Sequence, residues 1–119
     1  MIKVICIVEN SLLKYIKVTG HADNKNQKII VCTAVSCLIR TACDITRRLI
    51  GVDSYIDAPN PGYVVLKVNN IENCLKEKYI GITDYLIYGL IGVKHDFPDS
   101  IKLKINNKEW YDGSQKRWW

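Results

Sequence analysis

Apolar and polar positions alternate from the second residue onward. Ile2, Val4, Cys6 and Val8 share one side of the pattern, which predicts a strand over residues 2–8. Glu9-Asn10-Ser11 is a turn, and Leu12–Thr19 resumes an apolar pattern as an antiparallel partner. Periodicity vanishes over residues 20–28, a polar loop suited to moving over a ligand. From Cys32 to Ile50 the period becomes helical: Val35, Leu38, Ile39, Ala42, Ile45 and Leu49 face one way, and Gly51 closes the helix. Val52–Asp57 and Tyr63–Val68 read as a hairpin through the stiff turn Ala58-Pro59-Asn60-Pro61-Gly62. Asn69 and Glu72 form a capping pair for a second helix reaching about Lys94. In it Ile82, Leu86, Leu90 and Val93 face inward, with a break near Gly81. Phe97-Pro98 ends that helix, and Ile101, Leu103 and Ile105 alternate as a last strand. The order β-β-α-β-β-α-β predicts a single α+β domain, a mainly antiparallel sheet with two helices. It spans residues 1–106. Residues 107–119 read as a C-terminal extension whose Trp118 and Trp119 call for apolar cover from the body or a partner.

Length and composition narrow the picture. A chain of 119 residues holds one core. Five cysteines, an odd number without framework spacing, point to reduced thiols. No unbroken apolar run reaches the roughly 18 residues that cross a bilayer, and the start carries no signal-peptide pattern. The expectation is a cytoplasmic protein without a membrane partner. The formal charge of +5 favours an RNA-rich surface. The basic residues are scattered, however, and no direct nucleic-acid-binding motif is present.

The candidate chemistry lies between the second strand and the first helix. With the helix starting near Cys32, its macrodipole and unpaired N–H groups favour thiolate over thiol. His21, in the preceding loop, is placed to take the proton, and the pair is the minimum for nucleophilic cysteine chemistry. Cys32 lies about 60° around the helix from Val35, on the rim of the apolar arc. The backbone N–H groups of Cys32 and Thr33 are candidate oxyanion donors, and Ser36 follows one turn on. Spacing alone leaves the plainer readings open: a small buried thiol and a solvated loop histidine.

No metal or other cofactor is expected. Cys37 points about 140° away from Cys32, and Cys43 lies roughly 16 Å along the axis, too far to share a zinc ion. Cys6, Cys37, Cys43 and Cys74 read as core or half-buried thiols. Arg40, Arg47 and Arg48 read as a solvated basic side, and Asp44 is too far down the helix to serve the thiol. His95 complements the end of the second helix. Asp23 is a candidate to orient His21.

The stretches Gly20-His21-Ala22 and Ile30-Val31-Cys32-Thr33-Ala34-Val35-Ser36 resemble the bacterial ribosomal-processing cysteine protease (Prp) family. Phe97-Pro98-Asp99-Ser100-Ile101-Lys102-Leu103 looks like that family's aromatic-Pro entry to its last strand. The resemblance implies a cysteine endopeptidase that removes the N-terminal extension of the twenty-seventh large-subunit ribosomal protein. It would work through a His21–Cys32 dyad and a thioester, with Gly20 and Ser36 in the substrate site. A homodimer and association with the ribosome are implied too. This chain departs from the family in a loop about one residue shorter, in Gln27 where relatives have glycine, and in Ile29 where they have aspartate. Those departures bear on rate and pH optimum more than on reaction class. Two other readings compete: a ribosome-associated binding module of the same fold with weak or no catalysis, and a cysteine hydrolase or transferase acting on a small thioester or amide.

Overall fold

A computed structural model describes residues 1–20 and 26–110, with the side chains of residues 26–28 and 110 left aside. His21, Asp23 and the terminal tryptophans lie outside the described residues. The N-terminal alternation forms β1 (Ile2–Glu9) and β2 (Leu12–Thr19), joined by Asn10 and Ser11 at φ 52° and 64°. Two consecutive positive φ angles match the right-handed twist of a tight hairpin. The remaining elements are α1 (Asn26–Arg48), β3 (Val52–Asp57), β4 (Tyr63–Ile71), α2 (Lys76–Asp96), β5 (Ile101–Ile105) and β6 (Lys108–Trp110).

The strands form one six-stranded sheet in the order β3-β4-β2-β1-β5-β6. All pairings are antiparallel except β1 with β5. The α+β class and the mainly antiparallel sheet agree with the sequence reading. Both helices cover one face. There Val4, Cys6, Ile16, Leu66 and Leu103 meet Val31, Val35 and Ile39 of α1 and Leu86 and Leu90 of α2 in a single core. By length and composition Ile29–Arg48 would suffice to cross a membrane. In this fold its Val31, Val35, Ile39 and Ala42 are buried in that core.

Several boundaries differ from the expectation. Helix α1 begins six residues before Cys32. Its buried line runs Val31, Val35, Ile39, Ala42 and Thr46, which leaves Ile45 exposed. Strand β4 continues through Asn69 to Ile71 because Val52 and Asp53 of β3 pair with Ile71 and Asn70. The proposed Asn69–Glu72 cap is therefore absent: a 3-10 turn over Asn73–Leu75 leads into α2, and Glu72 makes no side-chain cap. Helix α2 runs unbroken through Gly81. The boundary at residue 106 falls inside the sheet, since Lys104 and Ile105 pair with Glu109 and Lys108 of β6.

An unbroken helix at Gly81 leads to a prediction. A Cβ at this exposed position meets nothing within 4 Å. Gly81→Ala removes backbone entropy from the unfolded chain and should stabilise by about 0.5–1 kcal/mol. Urea unfolding should show a higher midpoint at an unchanged slope.

Candidate active site

Helix α1 lies across the sheet so that one of its sides faces the inner surface of the β3–β4 hairpin. Between them is a cleft of about 560 Å³. From α1 it is lined by Cys32, Val35, Ser36, Ile39, Arg40 and Cys43, with Asp44 and Arg47 at the far end. Ile56, Ala58 and Asn60–Val64 form the opposite wall, and Ile2, Val18 and Gly20 complete the lining. Three residues expected at the site, Gly20, Cys32 and Ser36, thus share one cavity. Cys32 is half-buried. Its place on the rim of the apolar arc leaves the sulfur shielded yet reachable.

Gly20 directly follows β2 at φ +121° and donates its N–H to the Gly62 carbonyl at 3.0 Å. That bond ties the hairpin turn to the residue preceding His21. A Cβ at Gly20 would collide with the Met1 carbonyl oxygen and come within 3.0 Å of the Ile2 Cα. Only glycine combines this φ with this approach.

Two expectations about Cys32 need correction. With α1 starting at Asn26, Cys32 lies about 9 Å along the axis, beyond the first turn where the macrodipole acts strongly. The N–H groups of Cys32 and Thr33 belong to the helix interior, where the helical repeat commits them to carbonyls four residues back. They are not free oxyanion donors. Thr33 is outside the cleft lining, and its hydroxyl donates to the Ile29 carbonyl at 2.9 Å.

The sequence reading missed the hairpin wall and undervalued the charged end. Arg40 and Arg47 line the cleft, and Arg47 pairs with Asp44 at 3.0 Å. That pair is exposed and contributes little to stability. Arg40 presents a guanidinium to the cleft with no carboxylate among the described residues bridged to it. The stiff Pro-Asn-Pro-Gly run was a usable signal for a preformed wall, but nothing local says what it faces. No three His, Cys, Asp or Glu side chains converge on a metal position among the described residues.

The other thiols divide by burial. Cys37 and Cys74 are exposed, contrary to the semi-buried expectation, whereas Cys6 and Cys43 are buried. Burial pushes the Cys6 thiol up to about 12. Burial, with the Asp44 charge adding to it, pushes Cys43 up to about 11. Tyr79, whose hydroxyl donates to the Leu13 carbonyl at 2.9 Å, is likewise pushed by burial to about 12. Between their ordinary values of 9.0 to 10.0 and these raised ones, the unfolded chain holds fewer protons than the folded chain. Stability is therefore full below about pH 9 and lost as pH rises toward 12. Urea midpoints should be level from pH 7 to 8.5 and fall between pH 9 and 11; a flat profile to pH 11 would contradict this burial.

Comparison with known proteins follows the same lines. A search of the curated proteins found no match. Among solved structures, SMU.848 from Streptococcus mutans is 26% identical, covers 88% of this chain and 93% of its own, and superposes with a TM-score of 0.72. The essential ribosomal processing protease Prp from S. aureus, in complex with a covalently linked product peptide, is 19% identical at a TM-score of 0.73. The match covers 89% of this chain and all of that one. The same protease with a substrate peptide gives 16% identity, equal coverage and a TM-score of 0.73. At such identities these two complexes establish a shared fold. The family model described as cysteine protease Prp matches residues 1–102, nearly the whole described fold and the entire Cys32 cleft, so this chain is a cysteine protease belonging to the Prp family.

Proposed function

We propose that this protease removes the N-terminal extension of the twenty-seventh large-subunit ribosomal protein, with Cys32 as nucleophile and His21 as its base. The observation that carries the reading is the placement of Cys32 in an open cleft with an apolar lining, inside the stretch matched by the family. His21 is covalently next to Gly20, a residue of that cleft. His21 accepts the Cys32 proton, and the sulfur attacks the scissile carbonyl. The C–N bond then breaks as His21 returns the proton to the leaving amine, and water hydrolyses the thioester to free Cys32. Val35, Ile39, Ile56 and Val64 supply the apolar surface for an extended peptide, and Ser36 and Arg40 offer it polar contacts.

The test is a synthetic peptide spanning the extension and the mature start of that ribosomal protein from the same organism. Mass spectrometry should show one cut that releases the extension, slowed on the order of a hundredfold or more by His21→Ala. An intact peptide after prolonged incubation, with the peptide nevertheless bound, would favour the catalytically weak binding module instead. Ile29, half exposed at a position where the family resemblance implies an aspartate, is the residue that favours this second reading.

A cytoplasmic location, a homodimer and ribosome association complete the proposal, supported by family membership and the +5 charge. Light scattering should give twice the 13.6 kDa chain mass.

A further inference from the structure

Both helices lie on one face of the sheet, and among the described residues no element covers the other. On that outer face the strand register lines side chains into rows. Tyr63, Thr19, Lys3 and Lys102 form one row. Tyr55, Lys67, Tyr15 and Ile7 form another. Between them Val65, Lys17, Ile5 and Lys104 form a central row with the acids Asp57 and Glu109 at its two ends, and two further exposed acids, Asp53 and Glu9, lie at the margins of the face. Tyr55 is 56% exposed, and Ile5 and Ile7 are about 40% exposed. Lys17 Nζ lies 5.6 Å from the centre of the Tyr63 ring.

Placing Lys3 directly beside Lys102 costs stability through like-charge repulsion. A polyanion relieves that cost. A second copy seated on this face would bring many of these lysines together, which disfavours it as the occupant. The alternation of lysine with tyrosine suits a strand whose phosphates are spaced by stacking bases. A broad sheet cannot enter the deep, narrow major groove of duplex RNA.

We propose that the outer sheet face binds single-stranded RNA. Its lysines meet phosphates, and Tyr15 and Tyr55 stack bases. The choice of RNA over DNA rests on the ribosomal role proposed above; the surface itself does not depend on the catalytic reading.

The test is fluorescence anisotropy of the full chain with a labelled mixed-sequence 12-nucleotide RNA at several salt concentrations. Lys3→Glu with Lys102→Glu should weaken binding at least about tenfold and lower the salt slope by about 1.4. Tyr55→Ala, at an exposed edge position, should weaken it by about tenfold even at raised salt. Lys76→Glu with Lys78→Glu, on the helical side, should change it much less. Peptide cleavage should be unaltered in all of these variants, so a failed RNA result and a failed protease reading remain distinct. The proposal is overturned by absent RNA binding at low salt, by equal losses from the helical-side pair, or by tighter binding to duplex RNA or single-stranded DNA. Capture by anionic vesicles in preference to RNA overturns it as well.

Discussion

Cys32→Ala should abolish cleavage of the ribosomal-extension peptide while leaving the fold intact. Loss of the nucleophile removes the thioester route altogether, so kcat/KM should fall on the order of a thousandfold or more. Cys32 is half-buried and packs at the edge of the core, while Val31 and Val35 on the same helix are fully buried and untouched by the change. Alanine is also a better helix former than cysteine. The unfolding free energy should therefore move by no more than about 1 kcal/mol. Iodoacetamide labelling near neutral pH gives an independent readout. Cys6 and Cys43, held protonated by burial, should react only on unfolding, whereas Cys32 should react in the native state and Cys32→Ala should remove that site. Full retained cleavage in the alanine variant would end the nucleophile assignment.

The second large effect is expected from Gly20→Ala, a single methyl group. At φ +121° an L side chain is strained, and the added carbon would strike the Met1 carbonyl and press on Ile2. The chain start is held nearby, because Ile2 donates its N–H to the Ser100 carbonyl at 3.1 Å. Relief requires moving either β1 or the Gly20–Gly62 link. A destabilisation on the order of 2–3 kcal/mol follows. Cleavage should fall further than stability explains, because that link ties the residue before His21 to the hairpin wall. The separating measurement is kcat/KM at a temperature where the variant is fully folded by circular dichroism. Unchanged activity there would mean that Gly20 serves folding alone.

Most of the elements were legible locally. The alternation of Ile2, Val4 and Cys6 marks β1, and the Pro-Asn-Pro-Gly turn separates β3 from β4 where it was expected. Leu86, Leu90 and Val93 lie inward on α2 as their spacing required. The errors share one cause. The start of α1 was placed late because Asn26, Gln27 and Lys28 carry no apolar period, although Val31 sits one turn before Val35 and is completely buried. Asn69 and Asn70 resemble a helix entry, but pairing with β3 holds them in a strand. Strand β6 was missed because three residues carry almost no periodic signal. Its turn, Asn106-Asn107 at φ 53° and 67°, was the legible clue.

The sequence by itself determined which faces of each strand and helix are apolar, and it placed a thiol on the rim of one such face, eleven residues after a histidine. Those properties are encoded within a few residues, by side-chain period and backbone preference. Only the tertiary structure decided that β5 enters parallel to β1, that Gly20 reaches Gly62, and that Cys32 shares a cleft with Pro61 and Val64 of the β3–β4 hairpin. Local pattern says that a surface must be covered. What covers it depends on chain segments brought together across long separations, and no short stretch of sequence carries that information.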